Sequence, residues 1–271
     1  MTSILPFCKR PVVLAALACL LVVWAGGPAR AGVSIAPAFV ELDLSEGRPS
    51  GQFTITNTGD SEERYRIQAA FFDFSPSGGL LSVPDSDRSL APMLKFNPKE
   101  LTLPAKSKQR VRFVVVPQGQ LLDQEYWAAM ELEALATNTA RTTDAAGRTF
   151  RLEVSSSIMV PIYARHGQVS FQCDLEDVRL VAAADKVSLE STVNNTGTGH
   201  LFLTGTYELL APGGQRVAEG ILGKGYVLPG RVRRFTSRLE VSIPRGEYTV
   251  RAVFSAPQLA QPIARELPGR W

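Results

Sequence analysis

Cys173 follows His166 closely in the chain, and a cysteine beside a histidine is the pattern of an activated nucleophile. No recognisable nucleophile motif surrounds it, so Cys173 reads as a small buried hydrophobe. No Gly-x-Ser-x-Gly elbow occurs, and "GRPSG" at 47–51 lacks its spacing. Asp85 and Asp87 in "PDSDRS" could touch calcium, but an EF-hand loop needs more oxygen ligands and a closing glutamate. A solvated loop is the simpler reading. "NTGTGH" at 195–200 spaces its glycines closely, yet no helix follows to offer its N-terminus to a phosphate, so it reads as a hairpin turn. The Asn194-Asn195-Thr196 acceptor matters only in a cell that glycosylates secreted proteins. His166, at a break in the pattern, and His200, beside a turn, read as structural or solvated. These residues predict a protein that is not an enzyme and that carries no cofactor and no metal.

The elements that would position a site are strands. Period-two runs separated by turn residues recur along the chain, and no long stretch shows a helical stripe, so the fold class is all-β. Strands are expected at 33–42, 51–57, 64–72, 93–96, 109–116, 126–134 and 150–163, the count for an immunoglobulin-like sandwich. Arg165-His166-Gly167 interrupts the pattern. A second set follows at 169–171, 178–182, 187–193, 201–210, 216–222, 234–241 and 248–254, with "APGG" and "LPGR" supplying turns. The tail from 256 carries three prolines and reads as a loop or one edge strand. The expectation is two immunoglobulin-like β-sandwich domains, at 32–166 and 167–271.

Residues 1–31 read as a cleavable secretory signal: Lys9 and Arg10, an apolar stretch over 12–24, and Ala29-Arg30-Ala31 as the cleavage site before Gly32. The mature chain is then exported, without a membrane span. Cys8 and Cys19 leave with the signal, so Cys173 has no internal disulfide partner. The chain holds 29 basic and 26 acidic residues. Three of the basic ones lie in the signal, which leaves a balanced mature chain and argues against nucleic acid or an anionic membrane surface as the main partner.

One strand is longer than its role requires. In "FRLEVSSSIMVPI", 150–162, apolar side chains occupy Phe150, Leu152, Val154, Ile158, Val160 and Ile162, with Ser156 as a gap. Alternation puts them all on one face. Ile158, Val160 and Ile162 suit the inner face of the chain's own sandwich. Phe150, Leu152 and Val154 follow the polar loop "TNTARTTDAAGRT" and are placed to project beyond it. Burial of such a side chain is worth roughly 1.5–3 kcal/mol, so Phe150, Leu152, Val154 and Ile158 could give a partner on the order of 6–12 kcal/mol gross. Pro161 cannot donate to a ladder and belongs on an edge or at a bulge. Residues 73–92 form an unusually long connection, with Leu80 and Leu81 suggesting contact.

"FTITNTGDSEERYRIQAAFFDF", "LKFNPKELTLPAKSKQRVRFVVV" and "DQEYWAAMELEA" resemble, in order and spacing, the first domain of the PapD-like periplasmic pilus-assembly chaperones. Asn57-Thr58-Gly59-Asp60 stands where that family turns out of its second strand, and the resemblance spans roughly 33–166. It implies a periplasmic protein that lends its long strand to pilus or surface subunits, with an outer-membrane usher as a possible further partner. On that reading Phe150, Leu152, Val154 and Ile158 touch the subunit, and Tyr163 with the cleft near His166 adds secondary contacts. The family's arginine on the first strand and lysine on the last, which hold a subunit's terminal carboxylate, have no counterpart here. The alternative is a structural immunoglobulin-like module of a cell-surface or secretion assembly.

Overall fold

The computed structural model describes residues 32–75, 78–135, 138–143, 148–154, 156–183, 186–239 and 243–270; at 138–143 and 149–154 it describes the backbone. The first half holds β1 (Val33–Ala36), β2 (Val40–Asp43), β3 (Ser50–Asn57), β4 (Glu63–Ala70), β5 (Phe72–Phe74), β6 (Leu80–Ser82), β7 (Leu94–Asn97), β8 (Glu100–Leu103), β9 (Lys108–Val115), β10 (Gln124–Ala134), β11 (Asn138–Thr143), β12 (Thr149–Val154) and β13 (Ser157–His166). One sheet runs β1-β3-β9-β7 and the other β2-β13-β10-β4-β8. That is the strand arrangement of an immunoglobulin-like sandwich, with its first strand shared between the two sheets.

Alternation explains the core. Phe53 and Ile55 of β3, Val111, Phe113 and Val115 of β9, Met130 and Leu132 of β10, and Val160 and Ile162 of β13 all point inward and are buried together. The expected strand over 33–42 divides. Pro37 offers no amide hydrogen, and the chain leaves the β3 ladder at Ala36 to rejoin as β2, parallel to β13.

The second half holds β14 (Cys173–Ala183), β15 (Lys186–Asn195), β16 (Leu201–Leu210), β17 (Arg216–Val227), β18 (Val232–Arg238), β19 (Glu247–Ser255) and β20 (Ile263–Arg270). They form sheets β14-β15-β18 and β17-β16-β19-β20 around a separate core. The fold is therefore two immunoglobulin-like sandwiches. The proline-containing tail supplies β20, an edge strand paired with β19. Residues 169–171 are not a strand. Ser170 instead exchanges hydrogen bonds with the 196–199 turn, its carbonyl accepting from Thr198 N at 2.9 Å and Gly199 N at 3.1 Å.

The same turn is built twice. Asn57 and Asn195 both end the second strand of their sandwich, both are followed by Thr-Gly, and both are buried. The Asn57 amide donates to the carbonyls of Ser61, Leu103 and Pro104 and its oxygen accepts from Gly59 N. The Asn195 amide donates to the carbonyls of Gly199 and Val227 and its oxygen accepts from Gly197 N. A side chain at Gly197 would meet the Ser170 carbonyl at 2.5 Å, which is why glycine stands there.

Candidate functional site

The long apolar run is two strands. β13 pairs with β10 from Glu133↔Ser157 to Gln124↔His166, while β12 pairs with β11 from Asn138↔Val154 to Thr143↔Thr149. Between the Glu133↔Ser157 and Asn138↔Val154 pairs the register shifts by two residues, and Ser156, at the gap in the greasy row, is exposed. The sequence of β11 is largely polar and reads as a loop; its pairing comes from the strand opposite, not from alternation.

This hairpin has one covered and one open side. Along its second arm, β10 and β11 pair on one side. On the other, β2 covers β13 at Ile162–Arg165, and among the described residues no strand pairs with 149–154 or 157–161. Val160 and Ile162 are wholly buried, and Ile158 is half-buried against the same core. Met159 and Tyr163 point the opposite way, into a third cluster with Phe71, Phe72 and Trp127. The side chains of Phe150, Leu152 and Val154 lie outside the described residues.

Tyr163 corrects the sequence reading. Its ring is 1% exposed and stacks on the His200 imidazole at 4.0 Å between centroids, so it offers a partner no surface. Burial pushes its phenol well above the ordinary tyrosine range, with Tyr226, Glu125 and Glu41 acting in the same direction.

Around Tyr163 the two sandwiches are locked together. The Glu125 carboxylate is fully buried and accepts from His200 N at 2.7 Å and His200 Nδ1 at 2.9 Å in the second domain, and from Arg165 Nε at 3.2 Å in the first. Glu41 closes the group, 3.0 Å from Arg165 Nη2 and 3.4 Å from His200 Nε2. Beside it Tyr226 packs against Phe39, Phe74 and Phe202. Arg231 pairs with Asp73 at 2.6 Å across the junction. His166 and His200 thus have structural roles: His166 Nδ1 donates to the Leu122 carbonyl at 3.2 Å. The Glu125 and His200 pairing joins residues 75 apart and left no local signal in the sequence.

The long connection after β5 is an inter-domain cover. β5 and β6 form a hairpin whose Phe72 carbonyl accepts from Trp127 Nε1 at 2.8 Å, and residues 88–90 bond to the backbone of Trp127 where β4 leaves the edge of β10. Leu228 of the second domain completes the cluster, and Leu80 packs against it while Leu81 stays exposed. The remaining motifs are structural as well. Asp85 accepts from Ser89 Oγ at 2.6 Å, closing its own loop. Cys173 is buried, which pushes its thiol up to about 11, Asp174 adding to the effect. Among the described residues no group of three or more His, Cys, Asp or Glu could hold a metal ion, and no helix is long and apolar enough to cross a membrane.

No family model matches the chain, and no curated protein matches it. Among solved structures, it is similar to the Salmonella enterica SafB chaperone in complex with the SafA pilin, with 15% identity, 87% of this chain and 96% of that chain covered, and a TM-score of 0.42. It is also similar to the E. coli chaperone DraB, with 12% identity, 87% and 98% covered, and a TM-score of 0.42. The Acinetobacter baumannii CsuC–CsuE chaperone and tip-adhesion subunit complex gives 12% identity, 86% and 97% covered, and a TM-score of 0.45.

Proposed function

We propose that the protein is a periplasmic, non-enzymatic chaperone that holds a pilus or surface subunit by lending it the open edge of the β12–β13 arm. The observation that carries this reading is the pair of ladders over 149–154 and 157–161, each paired on one side and without a strand on the other among the described residues. An extended edge is a template for strand addition: backbone hydrogen bonds supply grip without reading sequence, and alternate side chains fill the partner's gaps. Phe150, Leu152 and Val154 are the display side chains, and Ile158, half-buried at the border, joins them. The sequence resemblance of 33–166 to PapD-like chaperones supports the same assignment, as does the signal-like stretch before Gly32. Subunit recognition does not use an arginine of the first strand, since β1 and β2 contain none.

The test is co-expression with a subunit whose sandwich lacks a strand, followed by purification of the pair. Wild type should yield a soluble complex and Leu152→Asp should lose it while keeping the wild-type Tm. A complex that survives Leu152→Asp overturns strand donation by this segment, and a collapsed Tm returns Leu152 to the core.

A further inference from the structure

The outer face of the β1-β3-β9-β7 sheet carries charge of one sign. Val111, Phe113 and Val115 of β9 point into the core, so Lys108, Arg110 and Arg112 point out; on β7, Leu94 points in and Lys95 out. The four strands read VSIA, SGQFTITN, LKFN and KQRVRFVV, with no acidic residue among them. Register places Gln52 opposite Arg112, Thr54 opposite Arg110 and Thr56 opposite Lys108, so each cation of β9 faces a neutral hydrogen-bonding side chain. All four cations are exposed, and none takes part in an ion pair among the described residues.

Two other sheet faces of this chain pair their charges. On the second domain's larger sheet, Glu219, Arg216, Glu208, Arg251 and Glu266 make an unbroken row of ion pairs across four strands. On the opposite sheet of the first domain, Arg66 sits between Glu100 and Glu133. The cations of β9 repeat every second residue, about 7 Å apart, inside a Debye length of about 10 Å, so they repel one another in the free protein. The fold does not need that repulsion, and a negatively charged surface laid on the sheet relieves it.

We propose that this face docks an acidic protein surface. A protein fits better than a lipid bilayer because the exposed large apolar side chains, Phe39, Leu81, Leu122 and Ile221 among them, lie on other elements, leaving nothing here to insert between lipids. The flat spread of alternating cations and hydroxyl or amide groups suits carboxylates presented at strand spacing. The site lies on the sheet opposite the one containing β13, so it stands or falls independently of strand donation.

The experiment uses the full mature chain at low ionic strength, with labelled poly-L-glutamate and, separately, phosphatidylglycerol vesicles as probes. Poly-L-glutamate should bind, weaken with added salt, and bind at least about tenfold more weakly to Arg110→Glu/Arg112→Glu, whereas Lys224→Glu on a distant strand should leave it unchanged. Arg110→Gln/Arg112→Gln should keep or raise Tm. Failure to bind the peptide, equal loss with Lys224→Glu, or stronger capture by vesicles than by peptide overturns the proposal. So does a lower Tm in the Gln variant, which would give these cations to the fold.

Discussion

The carboxylate of Glu125, on the first sandwich, is held by His200, on the second, through both a backbone N–H and a ring N–H at 2.7 and 2.9 Å. A buried charge met from two domains makes their relative placement part of the folded state. Removing one partner of such a group leaves the others desolvated and unpaired, a loss of about 3–5 kcal/mol. Glu125→Ala should therefore lower the unfolding free energy obtained from urea titration by that amount. Separate transitions for the two domains in the variant, with a single transition expected for wild type, would show the junction coming apart first.

Asn57 and Asn195 should respond alike. Asn→Asp at either position sets an oxygen against backbone carbonyls that now accept from the amide, leaving buried acceptors unsatisfied at about 1–3 kcal/mol or more. Because the two turns belong to different cores, the double variant should add the single losses within about 0.5 kcal/mol in chemical denaturation. Marked coupling would contradict independent turns.

Much of this was legible. The strand expected at 201–210 has the bounds of β16, because Leu201, Leu203, Tyr207 and Leu209 fall on one face with only Gly205 breaking the row. β8 and β11 were not legible: Glu100–Leu103 sits between prolines, and Asn138–Thr143 is largely polar, so each owes its strand to the ladder beside it. The proposed display residues rest on alternation alone, since their side chains lie outside the described residues. The Glu125–His200 lock and the burial of Tyr163 could not, since both depend on how two separate cores meet.

Cys173 should be silent toward thiol reagents in the folded protein near neutral pH and react fully in urea. Burial holds the thiol's folded value, about 11, above its ordinary 9.0, so the neutral form is favoured on folding. That contribution is complete below pH 9 and fades as pH climbs toward 11. Tyr163, raised by its own burial, adds a further alkaline loss above the ordinary tyrosine range. Cys173→Ala should flatten stability against pH between 9 and 11, as followed by denaturation midpoints; an unchanged slope would assign the loss elsewhere.

Trp127→Phe removes the indole donor to the Phe72 carbonyl while keeping an aromatic ring in the cluster. A net loss of about 1 kcal/mol is expected. The more telling readout is limited proteolysis, where cleavage within 75–90 should accelerate relative to wild type. Unaltered cleavage would mean that the β5–β6 cover is held without that bond.

The divided first strand carries a consequence for order of assembly. β2 is made early, yet its ladder partner Ile162–Arg165 emerges more than a hundred residues later. Nothing can zip onto that side of β13 until nearly the whole first half of the polypeptide is available, and such distant closure is slow. The last seam of the domain to be sewn is thus the same seam that stops short at Ile162. By starting its ladder at Val40, β2 sets how much of that late-formed border is left without a strand among the described residues.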